Sequence, residues 1–452
     1  MTVEGGARGR GTAVVIGGGL AGTLAAWALR GHAERIVVVE RDRYPEQPDF
    51  RAGLPQGRHA HLLLEAGHRV LEELMPGVRA ELLAAGAVRV PIASELRWLS
   101  SAGWMAEFES EVAFLSCTRP VLDHAVLERV RGESSVEFLE GTDVVGLLGS
   151  ARTVTGVRIR ERGQSSGEVR ELPAELVVDA SGRSSALPSW LAELGCPPVP
   201  EERVDAGVAY SSRLYHRPAG LDLGFTALYL QTKGPDSPRL GVLLPVEGDR
   251  WIVSLGSMRG AEPEPGEAGF ERHLGLLRDP SMRELLASAE PASDIRGFRP
   301  GPGVRRRYDR RSPEGLVVTG DAACTFNPVY GQGITVAAFG ARALRAAVAR
   351  QGGIGATAAA AARKGIAAVA KDAWVMSSSE DVRFPSTTGG PSGALVRAQH
   401  RYLDRVLARA TTNPHVCAAF QDVMSLIAQP TALFHPSVLV PVLRGGSGGA
   451  VA

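Results

Sequence analysis

The chain has 452 residues, 44% hydrophobic and 22% charged, enough to bury a large core across two or three domains. A formal net charge of +1 offers no global basic field for nucleic acid, and no apolar run reaches the roughly 18 residues a bilayer span needs. Cys117, Cys196, Cys324 and Cys417 lie far apart with no C-x-x-C, which excludes a dense disulfide framework and fits a reduced, cytoplasmic setting.

Arg8 and Arg10 precede an apolar run that glycines cut at once, so no signal peptide is expected. Ala13–Ile16 reads as a buried parallel strand and Leu20–Leu29 as a helix. Between them stand Gly17, Gly19 and Gly22. Gly17 allows the tight turn, Gly19 lets backbone approach a pyrophosphate, and Gly22 lets helix pack on strand, with the helix N-terminus supplying partial positive charge. A second run, Ile36–Val39, ends in Glu40, roughly 20 residues on, where an acid would bind ribose hydroxyls. Strand, glycines, helix, strand and acid in this order predict a dinucleotide cradle.

Leu54–Leu64, LPQGRHAHLLL, follows. Arg58 could hold a pyrophosphate or guard a ring edge; an exposed structural role is the equal alternative, and Arg51 is a further candidate. His59 and His61 lack a third ligand, so a hydrogen-bonding pair is expected and no metal site. Glu137–Gly146 reads as strand, turn and strand. Val208–Tyr215, Phe225–Gln231, Leu240–Pro245 and Trp251–Leu255 read as successive strands of an antiparallel sheet, on which Tyr210, Arg213, Tyr215 and Tyr229 are weak substrate-pocket candidates against ordinary sheet packing. The run Arg305, Arg306, Arg307, Arg310 and Arg311 is most simply a solvated loop, with contact to a cofactor or donor phosphate as the alternative. Leu316–Thr319 is a further buried strand, followed by Gly320-Asp321 and by Gly331-Gln332-Gly333, which opens an alanine-rich helix from Ile334 to about Ala349. There an acid can accept hydrogen bonds from a sugar chain, and a helix N-terminus can face an electron-rich ring oxygen. Trp374–Gln429 reads as mostly helical, broken by a loop at Arg383–Ser392, and the apolar tail Thr431–Leu443 as packing across the protein surface, with membrane contact as the alternative.

The two glycine-rich stretches, Thr12–Gly22 and Leu316–Gly333, together resemble those of the flavoprotein aromatic hydroxylases and epoxidases. In that family the Asp of the Gly-Asp, here Asp321, binds the ribityl chain of FAD, and Pro328, Gly331 and Gly333 would line the isoalloxazine. Cys117–Val130, CTRPVLDHAVLERV, resembles the family's Arg-x-x-Leu segment, which gives Arg119 an FAD contact. Val177–Ser185, VVDASGRSS, resembles its Asp-Gly region beside the pyrophosphate and nominates Asp179, although Ala180-Ser181 stand between Asp179 and Gly182. By the same resemblance Val144 offers its backbone to the adenine. Leu54–Leu64 and the loop RFPSTTGG at 383–390 look like the bacterial flavin epoxidases of polyether antibiotic pathways, relatives of squalene epoxidase.

The fold expected is α/β: a Rossmann-like FAD-binding domain over 1–75, 112–185 and 296–372, an inserted antiparallel β-sheet substrate domain over 76–111 and 186–295, and a helical C-terminal region over 373–452. The resemblance implies a monooxygenase of natural product biosynthesis that uses FAD, O2 and NADPH or NADH to epoxidise an apolar polyene or polyketide-type small molecule through a flavin C4a-hydroperoxide. It calls for no protein nucleophile, so no catalytic base is named. Aromatic hydroxylation is the close alternative, and a non-redox cyclase or binding chamber with structural FAD is the alternative of another class. Halogenation is disfavoured because the W-x-W-x-I-P motif is missing and the only lysines are Lys233, Lys364 and Lys371. Reduction of an isoprenoid is disfavoured because LLPVEGDRW replaces the reductases' Y-x-W-x-F-P motif.

Overall fold

The structure, a computed structural model, describes residues 11–164 and 167–444; Arg8 and Arg10, and the signal-peptide reading drawn from them, lie outside the described residues. The apolar β-branched runs form a five-stranded parallel sheet in the spatial order Leu316–Val318, Leu176–Asp179, Thr12–Ile16, Arg35–Glu40, Val136–Glu140. Their near-continuous hydrophobicity follows from burial on both faces. Val15, Val38 and Val178 pack against the helices Leu20–Leu29, Arg119–Arg131, Gly333–Gln351 and Ala356–Asp381. Val14, Val37 and Val177 pack instead against a three-stranded antiparallel sheet, Thr142–Gly149, Val154–Glu161 and Arg170–Pro173.

The inserted region builds a seven-stranded sheet in the order Arg296–Phe298, Ala209–His216, Arg250–Ser257, Arg239–Val246, Ala227–Leu230, Leu96–Ser100, Gly103–Trp104. All pairings are antiparallel except that of Ala227–Leu230 with Leu96–Ser100. Side chains alternate between faces along each strand. Leu228, Leu230, Leu243, Val253 and Leu255 therefore meet Phe270, Leu274 and Met282 of two covering helices, Gly266–Leu274 and Ser281–Leu286.

The stretch 76–111, expected with the substrate half, is shared. Val78 and Leu82 of the helix Val78–Ala84 pack with the cofactor-side core, whereas Leu96–Ser100 and Gly103–Trp104 join the inserted sheet. The arginine run is not a solvated loop throughout. Arg305 and Arg306, on the strand Gly303–Arg306, lie 3.7 and 2.9 Å from Glu202 and Glu201, and Arg307 lies 2.8 Å from Asp309; Arg310 and Arg311 stay exposed.

The C-terminal region is helical at Ala394–Ala410, Pro414–Met424 and Pro436–Arg444. Asn413 starts the second of these: its side chain accepts the Val416 N–H at 3.1 Å and Pro414 fills the first turn, where no donor is needed. Within the loop at 383–392, Thr388–Gly389 pairs with Glu201–Asp205 and so ties this region to the insertion. The tail coils into a short turn, Pro430–Phe434, and a helix whose Val438 and Val442 join Leu407, Phe420 and Val423 in one core. Among the described residues no helix is long and apolar enough to cross a membrane, and the four cysteines are unpaired.

Candidate active site

A single cavity of about 830 Å³ touches the parallel sheet, the inserted sheet and the C-terminal helices. At its first end lies the glycine turn. Gly17 has φ +91°, and a Cβ there would lie 2.8 Å from the Ala180 carbonyl oxygen; on Gly22 it would lie 1.8 Å from the Gly17 carbonyl oxygen. Both positions are thus closed to any side chain, while Gly19 faces the cavity. Glu40 is buried, its Oε2 accepting the Gly18 N–H at 2.6 Å and its Oε1 that of Asp42 at 2.8 Å. Val144 lines the same end beside Thr142 and Asp143.

The arginine at this end is Arg51. Arg58 is exposed, lies over the Phe50 ring at 4.4 Å and does not reach the cavity, because the short 3-10 turn Pro55–Arg58 directs it outward. Arg51 is 7% exposed at its side chain, lines the cavity, stacks on Tyr44 at 4.6 Å and stands 3.7 Å from Glu40 Oε2. Its buried Nη1 has no hydrogen-bond partner in the chain. An unspent buried donor beside a glycine cradle is what an anionic dinucleotide requires, so these residues fit FAD.

Asp321 follows the strand Leu316–Val318 and lines the middle of the cavity. Burial pushes its carboxyl above the usual range, against the pull of Arg183 and Arg119. Arg119 also lines the cavity and is paired with Asp123 at 2.9 Å. Pro328, Gly331 and Gly333 line it as well. The turn that carries them is set by Asn327, whose Oδ1 accepts the Val329 N–H at 3.0 Å, and by Gly331 at φ +66°. The 19-residue helix from Gly333 points its N-terminus at this space.

Asp179 does not line the cavity. Its carboxylate turns into its own loop, accepting from the Ser181 N–H and hydroxyl and from the Ser185 hydroxyl at 2.9, 2.6 and 2.6 Å, and burial still raises its pKa. The inserted Ala180-Ser181, with Gly182 and Arg183, forms the wall that Asp179 supports.

The inserted sheet forms the opposite wall. Tyr210, Tyr229, Val242, Leu244, Ser254 and Trp98 all project from one face into the cavity. Arg213 and Tyr215 do not, because they are an odd number of residues from Tyr210 on the same strand and so point to the other face. Arg213 there meets Glu267 at 2.7 Å, and Tyr215 packs near Phe270.

His59 and His61 are hydrogen-bonded as the sequence suggests. His59 Nδ1 lies 2.7 Å from Ser212 Oγ, which lies 2.6 Å from Ser254 Oγ, and His61 Nδ1 lies 2.8 Å from the His59 carbonyl oxygen. Burial lowers their pKa values to about 4 and about 3, so both are neutral near pH 7. Among the described residues no cluster of His, Cys, Asp or Glu suits a metal ion.

Two groups escaped the sequence reading. Tyr330 lines the cavity, and its hydroxyl stands 3.0 Å from Oδ1 of buried Asp381, to which Asn327 Nδ2 donates at 2.6 Å. Burial raises the Asp381 pKa to about 7. The only signal was an acidic residue ending an apolar, alanine-rich helix just before RFPSTTGG. Beyond these tyrosines the chamber is lined by Leu407, Phe420, Val423 and Leu433.

Residues 10–352 match the family described as FAD binding domain. The chain belongs to that family. The flavoprotein is 30% identical over 426 residues to Protein Rv3254 of Mycobacterium tuberculosis, covering 92% of this chain and 89% of that protein. It is 27% identical over 339 residues to 6-methylpretetramide 4-monooxygenase of Streptomyces rimosus, covering 72% and 71%. Its fold is shared with the flavin-dependent brominase Bmp2, at TM-score 0.67 and 15% identity over 91% of this chain and 92% of that one. It is shared too with PqsL, a probable FAD-dependent monooxygenase of Pseudomonas aeruginosa, at TM-score 0.58 and 22% identity over 90% and 99%.

Proposed function

We propose that this flavoprotein is a monooxygenase that epoxidises a carbon–carbon double bond of an apolar polyene or polyketide-type compound, with O2 as oxidant and NADPH or NADH as donor. The observation that supports the reading is the chamber: besides the Asp321–Gly333 region the cavity is lined by Leu407, Phe420, Val423 and Leu433, an apolar wall that suits a hydrocarbon chain. The balance is alkene, O2, NAD(P)H and a proton giving epoxide, water and NAD(P)+.

Bound FAD supplies the two-electron chemistry that activates O2 for transfer of one oxygen atom. The chain's own residues bind and exclude. Gly17, Gly19, Glu40, Arg51 and Val144 would hold the adenosine and phosphates, and Asp321, with Pro328, Gly331 and Gly333, the ribityl chain and ring. Arg119 would contact the cofactor between these groups. The even-numbered face of Ala209–His216 and its neighbours orients the substrate, while the C-terminal helices keep water from the reacting atoms.

Labelled O2 tests the proposal. Mass spectrometry should find the label in the product; label arriving only from water would defeat it. Product formed without O2 and without donor would instead support a non-redox cyclase or binding chamber with structural FAD.

A second reading, hydroxylation of an aromatic ring, is favoured by the Tyr330–Asp381 pair, a hydrogen-bonded acid beside the chamber, and by the activity in the name of the Streptomyces rimosus relative. It predicts a new phenolic hydroxyl in place of an epoxide. Halogenation draws no support, since none of the three lysines reaches the cavity, and assays with chloride or bromide should yield oxygenated product alone.

A further inference from the structure

The chamber holds more hydrogen-bonding capacity than a hydrocarbon would use. Tyr210 is buried, projects into the cavity and has a hydroxyl with no partner in the chain. Tyr330 faces the same space from the turn beneath. The two phenols are neighbours, since Tyr210 packs in one cluster with Val329 and feels the charge of Asp381, to which Tyr330 is bonded. Burial holds both phenols well above their usual pKa, so each stays protonated and able to donate. A buried donor left unpaired is costly, and among the described residues none pairs with the Tyr210 hydroxyl.

Resting on the monooxygenase reading, we propose that Tyr210 and Tyr330 form a subsite for a carbonyl or hydroxyl oxygen of the substrate, with Asp381 as the positioning acid that aims the Tyr330 proton into the chamber. The substrate is then an oxygenated apolar compound and not a bare hydrocarbon.

The aiming follows from the protonation of Asp381. When ionised, Oδ1 takes the Tyr330 proton as a hydrogen bond, beside the one it accepts from Asn327; when neutral, it is a weaker acceptor and the phenolic proton is free to turn to the ligand. The groups around it are few. Its own helix brings Glu380, which is held by Arg383 at 2.9 Å; the turn brings Asn327 and Tyr330; the inserted sheet brings Tyr210 and Tyr229; and the following loop brings the Thr387 hydroxyl, which donates to the Asp381 carbonyl at 2.6 Å. Across the chamber wall Arg383 also meets Asp404, and His400 meets Ser379. Among the described residues no cation pairs with the Asp381 carboxylate, and burial outweighs the hydrogen bonds from Asn327 and Tyr330 that favour its ionised form.

The test uses oxidised holoenzyme without donor and two probes, geranylacetone and the diene hydrocarbon of the same skeleton lacking the ketone, with binding read by fluorescence quenching. The ketone should bind at least tenfold tighter. Tyr210→Phe and Tyr330→Phe should each remove about fivefold of that advantage, with thermal unfolding unchanged enough to show that both fold. The advantage in the wild type should fall as pH rises through about 7, and in Asp381→Asn it should be flat with pH. Equal binding of the two probes, binding of neither, or a pH dependence that survives in Asp381→Asn overturns the subsite. Ketone selectivity without oxygen transfer would defeat the monooxygenase reading and leave the subsite standing; oxygen transfer with equal binding would do the reverse.

Discussion

Replacing Asp381 with Asn should change how stability depends on pH, by an amount the structure fixes. The carboxyl is 3% exposed, and its pKa of about 7 in the fold compares with 3.8 for a free side chain. An acid with a raised folded pKa keeps its proton in the native state over a range where the unfolded chain loses it. Its contribution to stability is therefore full below about pH 4 and is lost as pH rises to about 7. Between pH 5 and 8 the two titrations integrate to a loss of roughly 2 to 3 kcal/mol. The amide of the Asp381→Asn variant would be neutral throughout, and its oxygen, in the place of Oδ1, can still accept from both Asn327 and the Tyr330 hydroxyl. His59, His61 and His273 titrate in the opposite sense, their lowered pKa values taking stability away as pH falls below about 6.5. The useful quantity is therefore the difference between wild-type and Asp381→Asn unfolding free energies, from urea titrations at pH 5 and pH 8 with equal FAD loading. That difference should move by roughly 2 to 3 kcal/mol against the wild type. A difference that is constant with pH, or that moves the other way, refutes a carboxyl held neutral by burial.

Gly22→Ala would set a methyl 1.8 Å from the Gly17 carbonyl oxygen, so the protein should purify with little visible flavin absorbance per chain, while Gly31→Ala, with no atom within 4 Å, makes the comparison for a strained but open glycine. Arg51→Met should weaken FAD binding by about 10- to 100-fold, the worth of a charge-assisted hydrogen bond, and Arg58→Met should leave it unchanged in the same fluorescence titration. Leu407→Trp should raise KM for a long substrate with FAD content unaltered, because the side chain grows into the chamber away from the cradle. Asn413→Ala should cost about 1 kcal/mol in urea unfolding through the lost cap.

The cradle was legible because backbone geometry there permits almost no choice of residue: Gly17 and Gly22 are closed to side chains, and Glu40 is held by the backbone of Gly18. The same local logic placed the parallel strands, whose unbroken apolar runs admit one environment. What failed was direction. Arg58 and Arg51 are equally arginine in sequence; the turn at Pro55–Arg58 sends the first outward, while Glu40 and the Tyr44 ring hold the second at the cavity. On Ala209–His216 the alternation was readable, yet which face met the chamber depended on the covering helices Gly266–Leu274 and Ser281–Leu286. Asp381 was invisible because its meaning comes from Tyr330 and Asn327, more than fifty residues away in the chain.

The C-terminal helices that line the chamber lie after residue 352, where the family match ends, and they pack on the insertion through Trp98, Met105 and Tyr229. The chamber's far wall thus stands where the C-terminal helices and the inserted sheet share one core. Exchange of residues 394–444 with the matching segment of a relative is a graft that would redirect which molecule is admitted only when Trp98, Met105 and Tyr229 are exchanged with it.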